Sequence, residues 1–291
     1  MRVGVLANPM LTRFEERALD RVAGLDGVTI ERVTVDASVR DESSSLAAGA
    51  DVVNQGKTVS LTDLELFVDV VRESGLKAFI YADEKLGWLL FDETSQMEWL
   101  RSRPVEEVDC LADATIVDCE PVPAGGAWNT LPDDETDEIA RTCDVVIRFG
   151  FGLLKGPILE APKHGVLSAH TTDIREYRGM GPKVSYLNDD PTVSVTLQQL
   201  SETIDGGRIV EILSRELPPN PTLDDVWDAV YGIQTELFAA GIANLRDDSF
   251  EPWQPDELGP YYPHSLQQRN PRFVSRLLAR NNWRRLRKRL P

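Results

Sequence analysis

Asp144-Val145-Val146-Ile147-Arg148-Phe149 is the clearest buried strand in the chain, and Gly165-Val166-Leu167-Ser168-Ala169-His170 follows it as a second. Both are short, largely apolar runs, the first rich in β-branched residues, and the loop Gly150-Phe151-Gly152-Leu153-Leu154 follows the first. A third strand, Ser194 to Leu200, alternates and ends in Thr203-Ile204-Asp205-Gly206-Gly207. Towards the N-terminus, Val3-Gly4-Val5-Leu6-Ala7 and Thr29 to Val35 flank an amphipathic helix carrying Leu19, Val22 and Leu25, a β-α-β opening. Thr62-Asp63 caps a helix through Leu64, Phe67 and Val71 that leads into a strand, Lys77-Ala78-Phe79-Ile80-Tyr81. Ala114 to Val117 is a further strand, Asp133 to Thr142 a short acidic helix, and the polar stretch Ser38 to Gly56 a loop. Strands alternating with helices predict an α/β fold, a mostly parallel twisted sheet with helices on both faces.

His170 and Asp205 fall at the ends of the second and third strands, which places both at the C-terminal edge where open parallel sheets form their ligand crevice. A histidine titrates near neutral pH and can take and return a proton while an amine attacks a carbonyl. A carboxylate beside it raises its basicity and can hold the attacking group. Acyl transfer also needs a donor aimed at the developing oxyanion, which Ser168, Thr171 or Thr172 could supply.

The loop Ser168-Ala169-His170-Thr171-Thr172-Asp173-Ile174-Arg175-Glu176-Tyr177-Arg178-Gly179 resembles the signature of folate-dependent formyltransferases, Asn-x-His-Pro-Ser-Leu-Leu-Pro-x-Phe/Tyr-Arg/Lys-Gly. Val195-Thr196 through Asp205-Gly206-Gly207 is similar to that family's downstream segment ending in Leu-Asp-x-Gly, and Asp144 to Leu154 to its preceding strand and Gly-Phe loop. The resemblance covers residues 143 to 210; the N-terminal half agrees only in its strand–helix pattern. It implies a Rossmann-like fold of the formyltransferase type, 10-formyltetrahydrofolate as co-substrate and a small-molecule amine as acceptor. It implies His170 and Asp205 as the catalytic pair, and Phe149, Gly150, Phe151, Gly152, Leu153, Leu154 and Ile204 around the pterin. The departures are specific. Ser168 stands where the family has the asparagine that hydrogen-bonds the formyl oxygen, and losing such a donor costs about 2.7–4 kcal/mol. Thr171, Thr172, Asp173 and Arg175 put polar groups where the family loop is apolar. In this the chain resembles a divergent subgroup with a His-x-x-Asp-Ile-Arg-x-Tyr-Arg-Gly loop.

The acceptor is narrowed by exclusion. Asn8-Pro9-Met10-Leu11-Thr12-Arg13, after the first strand, has no glycine to bring backbone amides onto a phosphate, unlike the family's nucleotide-precursor enzyme. The net charge of −17 is split: Asn270 onward carries +8, with seven arginines and Lys288, which leaves −25 on the rest. That body repels nucleic acid, which argues against a tRNA acceptor and leaves a nucleotide-linked amino sugar. It also predicts adaptation to concentrated salt, where self-repulsion is screened.

Composition supports a folded, cytoplasmic protein: 42% hydrophobic residues, no membrane-length apolar run, no signal-peptide pattern and three cysteines without metal or disulfide spacing. Residues 1–212 are expected to form the α/β domain, and residues 213–269 a helix capped at Thr222 plus an extended segment packed on it. Residues 270–291 form a basic tail. The tail's charge suits anionic headgroups, but Phe273, Val274, Leu277 and Leu278 share one face while Trp283, Leu286 and Leu290 share another. With Asn281-Asn282 between them, that predicts two short segments and favours docking on the acidic body or on a sister subunit. Two functional classes stay open: a formyltransferase, or a non-catalytic relative that binds a ligand in the same crevice or docks at a membrane. Against the catalytic assignment, Asp205 before two glycines can be a turn residue, and Asp173 with Arg175 a solvated ion pair.

Overall fold

A computed structural model describes residues 1–39 and 75–290. In chain order its principal elements begin with β1 (Arg2–Ala7), α1 (Arg13–Ala23), β2 (Thr29–Asp36), α2 (Lys77–Phe91) and β3 (Thr115–Cys119). Next come α3 (Asp133–Thr142), β4 (Val145–Arg148), β5 (Val166–His170), α4 (Gly181–Asn188), β6 (Thr192–Gln199) and β7 (Arg208–Glu216). Three helices, α5 (Leu223–Leu245), α6 (Ser265–Arg269) and α7 (Pro271–Arg289), complete the chain. The helix expected over residues 62–71 and most of the Ser38–Gly56 loop lie outside the described residues.

The strands form one seven-stranded sheet in the order β7-β6-β5-β4-β1-β2-β3. β3, β2, β1, β4 and β5 are parallel, while β6 runs antiparallel to β5 and to β7. The predicted mostly parallel α/β sheet is therefore present. Val3, Val5, Val145, Ile147 and Leu167 are fully buried, as unbroken apolar strands require when both faces are covered. One face carries α1 and α5. Thr222 and Asp225 form the α5 capping box, and Val226, Val230, Ile233, Leu237 and Ile242 point inward at helical spacing. The other face carries α3 and the loops that follow β4 and β5. Strand order reverses between β1 and β4, so a crevice opens beyond Ala7 and Arg148. Residue 212 lies within β7, whose antiparallel pairing with β6 continues to Glu216.

Two sequence expectations are corrected. Lys77–Tyr81 is the first turn of α2, not a strand. The buried positions of α2 are Ala78, Ile80, Asp83 and Gly87, and two of these are polar or side-chain-free, which hides the helical period from a hydrophobicity reading. Their partner explains them: the Arg285 guanidinium lies against this face and pairs with Asp83 at 2.9 Å and Glu93 at 2.6 Å. The basic tail is likewise one helix and not two segments. Asn281, expected as a break, is wholly buried inside it; its Oδ1 accepts from Leu223 N at 2.9 Å and its Nδ2 donates to Asp83 at 2.9 Å. Asn270 caps the helix through Phe273 N at 3.1 Å.

This helix docks on the acidic body. Arg280 and Arg284 both reach Asp189, and Lys288 reaches Asp225. Of the cations near the end of the helix, Arg284, Arg285 and Lys288 are engaged by the chain's own carboxylates, while Arg287 and Arg289 reach the Asn220 side chain and the Leu90 carbonyl; among the described residues no helix is long and apolar enough to cross a membrane. Removing one partner from a buried ion cluster leaves uncompensated charge. Arg285→Ala, which strands Asp83 and Glu93, is expected to cost about 3–5 kcal/mol in denaturant unfolding. A loss below about 1 kcal/mol would show that α7 is not held by this cluster.

Candidate active site

β5 ends at His170, whose ring is buried, with 8% of the residue exposed. Its Nδ1 lies 3.2 Å from Asp205 Oδ1. The two predicted catalytic residues therefore meet, but by a different route from the one expected. Because β6 is antiparallel to β5, Gln199 at the end of β6 pairs with Leu167, three residues before His170. Asp205 can reach the ring only because residues 200–207 turn back over the sheet. Asp205 itself adopts a left-handed conformation, φ 50°, which Asp tolerates better than most residues. Its second oxygen accepts from Gly179 N at 2.8 Å. Burial works against ionisation of Asp205, yet the His170 hydrogen bond and charge, with the Gly179 amide, hold its carboxyl below the ordinary range. The carboxylate stays ionised near neutral pH and so orients and stabilises the imidazolium; it does not itself take the proton.

Thr172 Oγ1 lies 3.0 Å from His170 Nε2 and 3.0 Å from the Tyr177 carbonyl. With one hydroxyl proton, two states are consistent. A neutral ring with Nδ1–H directed at Asp205 accepts from Thr172 at Nε2. A protonated ring donates to Thr172 Oγ1 or to the Tyr177 carbonyl, and the hydroxyl turns to Tyr177. Thr172 is held from behind by Gly181, where an added Cβ would fall 2.1 Å from its Oγ1, so only glycine lets α4 start there.

The remaining predicted residues divide. Ser168 is buried on the same face as His170, two residues earlier, and its Oγ accepts from Arg148 Nη1 at 2.9 Å. Asp173 and Arg175 pair with each other, closest at 2.5 Å, with Arg175 stacked 5.6 Å from the Trp253 ring centre. Asp173 is buried and only Arg175 is exposed, so the pair is not the solvated one foreseen as the alternative, and it leaves both outside the His170 contacts. Thr171 is half-buried at the start of the same loop. Of the residues implied around a pterin, Phe151 and Leu154 are core side chains, and Phe149 packs edge-on against Phe238 at 5.1 Å between ring centres. The backbone of Leu153 and Leu154 pairs with Trp128 and Asn129. Gly150 sits at the crevice, where a Cβ would fall 2.7 Å from the Ala7 carbonyl carbon. Exposed surface is offered by Gly152 and by Ile204, at 37%.

Arg148 was missed as a site residue. Pairing of Ile147 with Leu167 sets it beside Ser168 on adjacent parallel strands, on the His170 face. The signal was available: a cation at the last position of an otherwise apolar buried strand. Arg178 donates to Gly259 O at 2.8 Å and Ile204 O at 3.4 Å, which ties down the Asp205 loop. A depression of about 630 Å³ lined by Leu159, Lys163, Gln199, Glu202 and Arg208 lies at the opposite, N-terminal end of β5, away from the His170–Asp205 pair.

No family model matches the chain. It is 30% identical over 142 residues to methionyl-tRNA formyltransferase of Rickettsia bellii, covering 47% of this chain and 46% of that protein. The enzyme of the same name from Rickettsia prowazekii is 31% identical over 143 residues, with the same coverage. The chain thus spans about half the length of the curated relatives it matches. A sugar N-formyltransferase from Shewanella sp. FDAARGOS_354 superposes over 97% of this chain and 87% of its own, with TM-score 0.52 and 12% identity, a likeness of fold. The family resemblance and the fold type read from the sequence are both borne out by these relatives.

A depressed carboxyl pKa contributes stability that is present above the unfolded value of about 3.9 and lost as pH falls through the lower folded value. Asp205→Asn is therefore expected to melt below the wild type at pH 5, with the gap closing towards pH 2. A gap independent of pH would mean that the carboxylate charge is not what holds the loop.

Proposed function

With the chain a relative of the formyltransferases and its fold of their type, we propose that it transfers a formyl group from 10-formyltetrahydrofolate to a small-molecule amine. The observation that carries this reading is the His170–Asp205 contact at the end of β5, in the segment where the sequence resembles the formyltransferase signature. In the reaction the amine nitrogen bonds to the formyl carbon and its proton passes to His170, whose imidazolium the Asp205 carboxylate stabilises. The formyl oxygen gains negative charge and needs a donor. As the bond from the formyl carbon to the donor nitrogen breaks, His170 returns the proton to that nitrogen. Gly152 and Ile204, exposed beside the pair, are the edge against which the pterin would lie.

For the acceptor, a nucleotide-linked amino sugar is the reading the charge distribution supports. The curated relatives are named for a tRNA, but this chain spans only about half of them, and its body of −25 opposes a nucleic acid. Arg280, Arg284, Arg285 and Lys288 of α7 are paired with carboxylates of the same chain, so the basic helix offers no open phosphate-binding face at those positions. The fold likeness to an enzyme named as a sugar N-formyltransferase points the same way.

The test is release of tetrahydrofolate by purified protein in concentrated potassium chloride with a pool of nucleotide-linked amino sugars. Release is expected to depend on the amine and to fall at least about 100-fold in His170→Ala. Release that is independent of the amine, or unchanged in the variant, would contradict the reading.

A further inference from the structure

Most buried or half-buried arginines in this structure face carboxylates. Arg285 contacts two of them, Arg32 reaches Glu135 at 2.9 Å, Arg103 reaches Glu16 at 3.1 Å and Arg284 reaches Asp189. Arg148 is different. Its Nη1 donates to the Ser168 hydroxyl at 2.9 Å and its Nη2 to the Gly152 carbonyl, both neutral acceptors. No carboxylate among the described residues forms an ion pair with it. Its Nε is buried with no hydrogen-bond partner, one of three such side-chain atoms among the described residues. The other two are on Glu93, just after α2, and on Trp227, in α5. Burial pulls the Arg148 guanidinium below its ordinary pKa, and the acid whose charge opposes this is Asp205.

A desolvated cation without a counter-ion is costly, and a native fold retains one where an anion comes to meet it. The position of Arg148 defines that anion. It is the last residue of β4, at the crevice where strand order reverses, and it lies beside Ser168, with His170 two residues further along the same face. Five N–H groups radiate from a guanidinium, of which two are used here. Ser168 and the Gly152 carbonyl fix the plane of the fork, while the residue as a whole keeps part of its surface open.

We propose that Arg148 is a catalytic residue whose guanidinium, through the Nη hydrogens left free by Ser168 and Gly152, donates to the negative charge that develops on the formyl oxygen. Ser168 is then a positioning residue. The inference rests on the formyl-transfer reading and adds to it the oxyanion donor. Charge accounting agrees. At rest, the charges of Arg148 and Asp205 balance. When the amine attacks, a proton reaches His170 and a negative charge forms on the oxygen, so the site stays neutral throughout. A donor that carries full charge in a water-poor site is worth more than a neutral amide at the same distance. This explains how the strand can carry serine at residue 168 and still supply the donor that acyl transfer requires.

Two measurements on the intact chain test this. The first is steady-state formyl transfer by Arg148→Gln and Arg148→Lys, each checked for folding by thermal unfolding. Loss of one oxyanion donor typically lowers kcat about 100- to 1000-fold. That loss is expected in Arg148→Gln with KM for both substrates nearly unchanged, and Arg148→Lys, a point charge without the fork, should recover only part of it. Unchanged kcat in a folded Arg148→Gln overturns the proposal. So does a raised KM with kcat intact, which would make Arg148 a clamp for a substrate carboxylate.

The second measurement needs no turnover. Formate titrated into the wild type at constant ionic strength should shift the His170 ring proton resonance saturably, identified by its loss in His170→Ala, and chloride should not. In Arg148→Gln, or in Arg148→Lys if that variant alone folds, the affinity should fall about tenfold or more, as expected when the charged partner of an anion is removed. Wild-type turnover unaffected by Arg148→Gln sinks this inference and leaves the formyl-transfer reading standing. No turnover but Arg148-dependent formate binding sinks the reading and the catalytic role with it, and leaves Arg148 as an anion-binding residue. No turnover and no formate binding sinks both.

Discussion

The contact between the His170 ring and the Asp205 carboxylate is made across two strands that run in opposite directions, and that geometry sets the terms for everything around it. β6 carries the chain away from the edge where His170 sits, so the segment from Leu200 to Gly207 has to return over the sheet and be held there. Arg178 grips the Ile204 and Gly259 carbonyls, and Gly179 N fixes the second oxygen of Asp205. The Arg178–Gly179 segment is in turn paired with Tyr261–Tyr262 from the C-terminal stretch. Behind the ring, Thr172 is set by Gly181 at the start of α4. The pair is thus held by the Gly179 amide, the Thr172 hydroxyl and the loop that Arg178 ties down, which is what a fixed proton-transfer geometry requires.

The charge pattern fits the same frame. The body is strongly acidic and α7 is basic, and the two are joined by specific pairs, not by a diffuse field. The most buried of these pairs, Arg285 with Asp83 and Glu93, locks α7 onto α2, while Asn281 ties α7 to Leu223 at the start of α5. The helix that completes the core and the one that closes the chain therefore meet through hydrogen bonds as much as through apolar contact. In this setting Arg148 stands apart as a guanidinium that faces neutral acceptors and keeps a buried Nε without a hydrogen-bond partner, near His170 and Asp205.

Much of this was legible in the sequence where the physical signal was local. Val145 to Arg148 reads as a strand from its β-branched run, and Val166 to His170 as a short, largely apolar run between glycine-containing loops. α5 was legible from Thr222, Asp225 and the helical spacing of Val226, Val230, Ile233 and Leu237. What was not legible depended on partners distant in sequence. Lys77–Tyr81 looked like a strand because the inner face of α2 is made of Asp83 and Gly87, residues that make sense only against Arg285. Asn281-Asn282 looked like a break because the groups that satisfy Asn281, Asp83 and Leu223, lie far away along the chain. His170 and Asp205 are marked by motif and spacing, but they are not the ends of two parallel strands, and nothing in the alternation of β6 reveals its direction. Arg148 offers in the sequence only a cation at the end of a buried strand; that it faces neutral acceptors depends on Ser168 and Gly152 in the fold.

The central claim is that the His170–Asp205 pair carries a formyl group to an amine. The most direct measurement is mass spectrometry of the acceptor after incubation with donor labelled with carbon-13 in the formyl group, for wild type and Asp205→Asn side by side. The account predicts a labelled N-formyl product from the wild type, formed at least about 100-fold more slowly by the variant. A product that carries no label, or one formed equally fast without the Asp205 carboxylate, would contradict it.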